Sequence, residues 1–197
     1  MLGHWPSVLR VCGLTLGGTV AFYTYTIYMQ KYLANSLGFS KETATLISAA
    51  SLFVFAAMQP LFGAISDRVG RKPLLLFFGV GASLGTIPLL TALSHATSGW
   101  VAFGLIVAAL FMASGYTSIN AIVKAELFPT RVRALGVALP YALTVSIFGG
   151  TTEYIALWCK HVGHENWFAW YVSACALVTL ATALTLQKNS AISENTP

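Results

Sequence analysis

The sequence predicts an all-α membrane protein built from six transmembrane helices. Of its 197 residues, 56% are hydrophobic and only 9% are charged, whereas a soluble domain carries about 25% charged residues. Six apolar stretches each provide close to the 20 or so residues that a helix needs to cross the hydrocarbon core. The basic residues lie at the ends of these stretches and are distributed unequally between the two sides. Because so few charges could not cover a water-facing surface, we expect most of the surface to face lipid.

The six stretches follow one another closely along the chain. They cover about residues 11–32, 43–65, 74–94, 100–123, 134–158 and 167–186. The first is longer than the roughly 7–15 apolar residues of a signal peptide, and no small-residue cleavage site follows it. We therefore expect residues 11–186 to form one six-helix bundle, with residues 1–10 as a cytoplasmic N-terminal segment and residues 187–197 as a cytoplasmic polar tail.

The Lys and Arg residues predict how the bundle is oriented. Eight of the eleven fall on one side: Arg10, Arg68, Arg71, Lys72, Lys124, Arg131, Arg133 and Lys188. The other three, Lys31, Lys41 and Lys160, fall on the opposite side. Because cytoplasmic loops are enriched in Lys and Arg, both termini and the second and fourth loops are expected in the cytoplasm. The net charge of +5 thus reflects membrane orientation, and no nucleic-acid partner is predicted.

Small residues and prolines within the stretches predict close packing and bending. Gly13 and Gly17 are four residues apart, as are Gly81 and Gly85, a spacing that lets helix backbones approach closely. Prolines at 60, 88 and 140 are expected to interrupt their spans, and Gly149-Gly150 to soften the fifth. Ordinary membrane packing explains each feature equally well, but their concentration favours a bundle that moves.

The loop after the second stretch carries a motif, GAISDRVGRK at residues 63–72. A positive-inside loop explains its cations, but it does not explain an acid among them with glycines at fixed offsets. The segment resembles the G-x-x-x-D-R-x-G-R-K signature of the major facilitator superfamily at every position. Residues 124–136 (KAELFPTRVRALG), 147–154 (IFGGTTEY) and 21–32 (AFYTYTIYMQKY) narrow the resemblance to the metabolite:proton symporter group and its α-ketoglutarate permease branch.

The resemblance covers roughly residues 8–188 and only the C-terminal six helices of these twelve-helix carriers, in which substrate lies between two six-helix bundles. It implies proton-coupled transport of a small organic acid, an α-ketoglutarate-like dicarboxylate, across the bacterial inner membrane, with membrane lipid and an N-terminal six-helix half as partners. A carrier half for shikimate, betaine or citrate, or a non-transporting membrane fragment or scaffold, are the alternatives. A truncated gene, a misassigned start and a split transporter all fit the length.

The resemblance also implies a cytoplasmic gate, formed by Gly63, Asp67, Arg68, Gly70, Arg71, Lys72, Glu126, Arg131 and Arg133. We expect Arg71 to pair with Glu126, with Arg131 on the other side of that carboxylate. Thr130 is the expected N-cap of the fifth helix, and Pro129 turns the chain out of helix before it. Asp67 is expected to reach a helix N-terminus of the other bundle. The alternative is a set of solvated loop charges, worth about 0–1 kcal/mol a pair.

Glu153 is the proton-coupling candidate. It is the only acid inside an apolar stretch and away from its ends. An acid at membrane depth faces a cavity, forms a pair or carries a proton, and loss of water favours the protonated form of a carboxyl group. The alternative is a hydrated position near the outer interface.

Polar side chains within the spans are candidates for lining a substrate path. They are Thr19, Tyr23, Thr26, Gln30, Gln59, Tyr116, Asn120 and Tyr141. Hydrogen bonding between helices is the alternative role for each. We expect no Lys or Arg deep inside any span, so the cation that an organic anion needs is expected from the other half of the carrier.

No catalytic grouping, cofactor site or metal site is predicted. His161 and His164, with Glu165, lie close together in a loop without further ligands. The three cysteines have no paired or metal-like spacing. We therefore predict that the protein is not an enzyme.

Overall fold

A computed structural model describes residues 5–186 of the chain, and this part is helical throughout, without a strand. The helices form six rods, a rod being a run of helical segments with no loop between them except a two-residue turn in rod 4. Their bounds are as follows: rod 1, α1 (Trp5–Tyr23), a π-helical segment (Thr24–Tyr28) and α2 (Met29–Asn35); rod 2, α3 (Lys41–Val69); rod 3, α4 (Arg71–Ser94); rod 4, α5 (Gly99–Thr117) and α6 (Asn120–Glu126); rod 5, α7 (Arg133–Thr144), a π-helical segment (Val145–Gly149) and α8 (Gly150–His161); rod 6, α9 (Asn166–Leu184). The predicted tail at 187–197 and the first four residues lie outside the described residues.

Five of the six rods are long and apolar enough to cross a membrane. These are rods 2 to 6, between 19 and 29 residues long. Rod 1 has the length, but its threonines and tyrosines lower its mean hydropathy, and it is not among the five. The structure therefore supports an all-helical membrane bundle with five candidate spans, and the sixth predicted span rests on other arguments.

The loops between rods are short, and in three of the five a glycine with positive φ turns the chain. Gly38, Gly70 and Gly163 all have positive φ, at 72°, 89° and 76°, a conformation that side chains with a Cβ rarely adopt. The Ser40 side chain accepts a hydrogen bond from the Thr43 amide at 3.1 Å and so caps the start of α3. Successive rods therefore run in opposite directions with almost no intervening chain.

Helices α1 and α9 pack closely against each other. A Cβ on Gly17 would collide with the backbone of Cys175 and Ala176, so only glycine fits there. The Thr179 hydroxyl accepts a hydrogen bond from the Gly17 amide at 3.0 Å and donates to the Gly13 carbonyl at 2.8 Å. The predicted close approach at Gly13 and Gly17 is confirmed. Gly81 and Gly85 likewise face the sulfur of one methionine in α5.

The interruptions of the rods differ from those predicted. No helix ends at the prolines of residues 60, 88 or 140, which all lie inside helices. The softened fifth span is confirmed, since a π-helical segment occupies Val145–Gly149. A second π-helical segment lies at Thr24–Tyr28, and rod 4 is broken at residues 118–119, where the Asn120 side chain donates to the Thr117 carbonyl at 2.9 Å. Such segments are frequent at functional sites.

Contacts between rod termini define two ends of the bundle. At the end that we call the motif end, residues 66–72 lie beside the ends of α6 and α9. At the opposite end, the end of α2 contacts the end of α8 and the start of α9. Among the described residues, seven basic residues belong to rod termini and loops of the motif end (Arg10, Arg68, Arg71, Lys72, Lys124, Arg131 and Arg133) and three to the opposite end (Lys31, Lys41 and Lys160). The predicted separation of charge is therefore present in the fold.

Candidate functional site: two charged ends and a buried lysine

At the motif end, the glycine turn places Arg71 at the first position of α4. Gly70, with φ of 89°, reverses the chain between α3 and α4. The Arg71 guanidinium contacts the carboxylate of Glu126, the last residue of α6, and both side chains are about one-third exposed. The predicted Arg71–Glu126 contact is thus present, and it joins rod 3 to rod 4. Its role as a gate stays a prediction.

Lys72 extends this connection to rod 6. Its ammonium donates to the carbonyl of Leu184 at 3.1 Å and also to that of Leu186. The Leu184 carbonyl is that of the last residue of α9 and the Leu186 carbonyl lies just beyond it, at a helix end that leaves acceptors unpaired and whose dipole favours a cation. The motif residues Arg71 and Lys72 therefore tie the turn to two separate rods.

Other predicted members of the gate have different surroundings. Gly63, Asp67 and Arg68 lie in the last turns of α3, and the carboxylate and guanidinium are exposed. Within residues 5–186, Asp67 makes no ion pair, which is compatible with the expected contact to another bundle but does not test it. The Arg133 guanidinium donates to the Phe128 carbonyl at 3.2 Å.

Two local expectations about the fourth loop are wrong. Within the described chain, Arg131 forms no ion pair with Glu126, whose partner is Arg71. Thr130 is not the N-cap of α7: the helix begins at Arg133, behind Val132, and no side chain caps it. Pro129 does lie outside helix, between α6 and α7, as expected.

At the opposite end, Glu153 forms an ion pair with Lys31. Glu153 lies in the first turn of α8, just after the π-helical segment of rod 5, and Lys31 follows the π-helical segment of rod 1. The carboxylate side chain is 32% exposed and that of Lys31 50%. Glu153 is therefore paired and partly hydrated in this conformation, and proton coupling through it stays a prediction.

A second cluster closes the same end. The Glu165 carboxylate accepts hydrogen bonds from Ser36 at 2.7 Å and from the Tyr28 hydroxyl at 3.4 Å. The Lys160 ammonium donates to the Asn35 carbonyl at 2.7 Å and to the Ser36 hydroxyl at 2.8 Å. Glu165 thus bridges rod 1 to rod 6, a contact that the sequence did not predict.

Five of the predicted lining residues take part in contacts within or between helices. The Gln59 amide donates to Ser114 at 3.2 Å and accepts from Thr117 at 2.9 Å, so it joins α3 to α5. The other four also have partners: Gln30 donates to Thr45 at 2.9 Å, Thr26 donates to the Phe22 carbonyl at 2.6 Å, and Thr19 and Tyr23 pack against Gly149. These contacts fit the alternative role that the sequence left open.

The remaining three candidates, Tyr116, Asn120 and Tyr141, converge on Lys124. Its side chain is only 1% exposed. The ammonium donates to the Tyr116 hydroxyl at 2.8 Å and to the side-chain amide oxygen (Oδ1) of Asn120 at 3.3 Å. It also lies 4.5 Å from the centre of the Tyr141 ring, within range of a cation–π interaction.

The sequence places no Lys or Arg deep inside a span, and Lys124 does lie near a helix end, but its side chain is buried in the bundle, which the sequence did not predict. The predicted fourth span ended at residue 123, so Lys124 was assigned to a loop, whereas α6 continues to Glu126. The sequence did hold a signal for it. Residues four apart share a helix face, and Tyr116, Asn120 and Lys124 follow that spacing.

Comparison with known proteins agrees with this architecture. The chain is 48% identical to the α-ketoglutarate permease of Escherichia coli K12 over 189 residues, which is 94% of this chain and 44% of the permease. It is 28% identical to the proline/betaine transporter of the same strain (95% of this chain, 37% of the transporter) and 28% identical to the citrate-proton symporter of Klebsiella pneumoniae (100% of this chain, 44% of the symporter). The chain thus spans less than half the length of these relatives.

No solved structure matches the chain significantly. The sequence profile described as Major Facilitator Superfamily matches residues 11–185, which is nearly all of the described bundle. The match extends from the first rod to the end of α9 and includes the loop motif, both ion pairs and Lys124. The chain therefore belongs to the major facilitator superfamily.

Proposed function

We propose that this chain is the C-terminal six-helix half of a proton-coupled carrier for a small organic acid such as α-ketoglutarate. The observation that carries the proposal is the presence of an ion pair at each end of one bundle. Arg71–Glu126 joins rods 3 and 4 at the motif end, and Lys31–Glu153 joins rods 1 and 5 at the opposite end. A carrier must close each end in turn, and partly exposed ion pairs between rods provide contacts that form and break at modest cost.

Three of the four rods that meet at these pairs, rods 1, 4 and 5, are interrupted. Rods 1 and 5 each contain a π-helical segment immediately before the residues that pair, and rod 4 is broken seven residues before Glu126. Interrupted helices in a membrane are tolerated where they face protein or a water-filled cavity. This arrangement supports a moving bundle in preference to a static scaffold.

The substrate class is taken from similarity. The permease with 48% identity is named for α-ketoglutarate, and a second relative is a citrate-proton symporter. In the proposed carrier, rod 1 crosses the membrane together with rods 2 to 6, which makes six spans. Both termini and the motif end face the cytoplasm, and the membrane is the bacterial inner membrane. An N-terminal six-helix half completes the path, and the exposed Asp67 contacts it.

Uptake by reconstituted vesicles tests the proposal. The chain is reconstituted alone and together with the separately expressed N-terminal six helices of the E. coli α-ketoglutarate permease, and an inward proton gradient is imposed. We expect uptake of labelled α-ketoglutarate with both parts present, and its loss when a protonophore collapses the gradient. Excess citrate and betaine serve as competitors that report the alternative substrates.

The positive control is the same permease supplied as two separate halves. If those halves restore uptake and this chain in place of the C-terminal half gives none above empty vesicles, the carrier proposal is wrong. Competition by betaine but not by unlabelled α-ketoglutarate would contradict the substrate class alone.

A further inference from the structure

The orientation of the Lys124 side chain is unusual for a lysine near the end of a membrane helix. Lys124 lies two residues before the end of α6, so its stem could carry the ammonium out to the charged motif end. Lysines at such positions normally reach the interface in this way. Here the ammonium extends the other way, back towards the Tyr116 hydroxyl two helical turns earlier.

The ammonium is buried without a neutralising acid. Its residue is 1% exposed, and neither ion pair found between residues 5 and 186 involves it. A charge held away from water by neutral partners alone is costly. Burial of this ammonium therefore does not stabilise the fold, and its position requires another explanation.

The hydrogen-bond capacity of the ammonium is not filled by oxygen atoms. A lysine ammonium has three N–H donors. Within the described bundle, two oxygen acceptors lie in range, on Tyr116 and Asn120, and the longer contact is 3.3 Å. Its other neighbours are two aromatic rings, with centres 4.5 Å (Tyr141) and 5.2 Å (Tyr116) from the ammonium. An incoming anion could therefore replace a ring face without displacing either oxygen.

The Tyr116 side of the site is held in place from behind. The Tyr116 ring packs directly on Gly18 of α1, where a Cβ would collide with it. On its other side the ring lies 5.2 Å from that of Phe78, centre to centre. The hydroxyl that holds Lys124 is therefore fixed by two rods.

The Tyr141 side is open. Tyr141 is 42% exposed and lies on the surface of the bundle. It follows Pro140, which lacks a backbone N–H to hydrogen-bond within the helix, and it precedes the π-helical segment at Val145–Gly149 by one turn. A local change in α7 would move the ring and connect the ammonium to the exterior of the described bundle.

We propose that Lys124, with Asn120 and Tyr116, is a carboxylate-binding site for the transported organic acid, and that the Tyr141 ring covers the ammonium when the site is empty. The inference rests on the proposed transport function and adds to it the cation that the anion requires. The site lies on the motif-end side of the bundle, close to Glu126, so it serves the substrate where it enters or leaves at that end.

Binding to the purified chain tests the site independently of transport. The melting temperature of the detergent-solubilised chain is followed by tryptophan fluorescence as α-ketoglutarate is added, with its uncharged dimethyl ester as the comparison ligand. The variants are Lys124→Gln, Lys124→Arg, and Lys41→Gln as a matched control at an exposed lysine of the opposite end.

We expect α-ketoglutarate, but not its ester, to raise the melting temperature of the unchanged chain and of Lys41→Gln. Lys124→Gln should weaken the apparent affinity by about 10- to 100-fold, the factor that a charge-assisted hydrogen bond is worth, and Lys124→Arg should retain part of the response. Without ligand, Lys124→Gln should melt no lower than the unchanged chain, because it removes an unpaired buried charge.

Three results would overturn the inference: no response of the unchanged chain, an equal response of Lys124→Gln and Lys41→Gln, or an equal response to the ester. If Lys124→Gln is too unstable to purify, two single variants, Lys124→Arg and Tyr141→Leu, decide the question. Tyr141→Leu should strengthen binding of α-ketoglutarate, because it uncovers the ammonium. A clear response in this assay combined with failure of vesicle uptake would leave the site standing and overturn the carrier proposal.

Discussion

The charges of Arg71 and Glu126 meet because a glycine turn places the first at the start of α4 and a short helix places the second at the end of α6. Arg71 follows a glycine with a positive φ, and Glu126 ends a helix of seven residues. Both side chains are partly exposed, so the pair alone contributes little to stability. In the proposed carrier, the pair would join rods 3 and 4 in one state and release them in another.

Charge reversal at this pair should therefore affect transport more than folding. We expect Arg71→Glu or Glu126→Arg alone to impair uptake in the two-half vesicle assay, and the double reversal to recover it, with a coupling free energy of about 0.5–1 kcal/mol. Arg131→Glu combined with Glu126→Arg is the control, since Arg131 makes no ion pair with Glu126 in the described structure. No recovery in the first double variant, or equal recovery in both, would contradict the gate.

Glu153 is the residue for which protonation should matter most. Its carboxylate pairs with Lys31 between rods 1 and 5, so adding a proton would remove that attraction. Glu153→Gln mimics the protonated form and should abolish accumulation of α-ketoglutarate against its gradient while sparing exchange of internal for external substrate. Glu42→Gln, an exposed acid at the same end, should leave both unchanged. Accumulation by Glu153→Gln at the normal level would remove this residue from the coupling mechanism.

At the scale of the helices, contact between α1 and α9 depends on the absence of a side chain at Gly17. Gly17→Leu should lower the melting temperature of the detergent-solubilised chain, since forcing a side chain into a packed contact costs about 1–3 kcal/mol. Gly104→Leu is the matched control: a Cβ at Gly104 meets nothing within 4 Å, and leucine favours helix over glycine by up to about 1 kcal/mol. Equal melting of the two variants would show that α1 and α9 are not closely packed.

The helices could be predicted from the sequence far better than their interruptions. Each apolar stretch is a rod in the structure, and most of the rods extend the predicted bounds by a few residues, because charged and polar residues at the membrane surface continue a helix as readily as they end it. The π-helical segment at Thr24–Tyr28 could not be predicted, because no proline or glycine pair occurs there. Conversely, the prolines that were expected to break spans lie inside helices. In lipid, the neighbouring turn and other helices satisfy the backbone groups that a proline leaves free.

The candidate site could be predicted only in part, and Lys124 shows why. Its neighbours Tyr116, Asn120 and Tyr141 were identifiable as polar residues at membrane depth. Lys124 itself could not be identified, because hydropathy alone assigns a lysine at the end of a span to the loop. The direction of its side chain depends on which neighbour accepts the hydrogen bond of the ammonium. The Glu165 cluster was missed for a similar reason: its partners Tyr28 and Ser36 are distant in sequence.

For the molecule as a whole, the decisive question is whether rod 1 crosses the membrane. Five rods qualify by length and apolar composition, and an odd number of crossings would place the two termini on opposite sides. Rod 1 is not among these five, yet its threonines donate to carbonyls of their own helix, as Thr15, Thr24 and Thr26 do. Its polar groups are therefore largely satisfied internally, which removes most of the cost of placing them in lipid.

We accordingly expect Ser7, at the start of rod 1, and Ser40, just beyond its end, to lie on opposite sides of the membrane. Single cysteines at these positions and at Arg131, in a chain whose native cysteines at 12, 159 and 175 are replaced by alanine, can be labelled with a membrane-impermeant maleimide. In right-side-out vesicles Ser40→Cys should react, whereas Ser7→Cys and Arg131→Cys should react only after the vesicles are inverted or opened, because basic loops remain in the cytoplasm. Reaction of Ser7→Cys from the same side as Ser40→Cys would mean that rod 1 does not cross. The motif end would then keep its orientation, but the bundle would have five spans and could not be the six-helix half of a carrier.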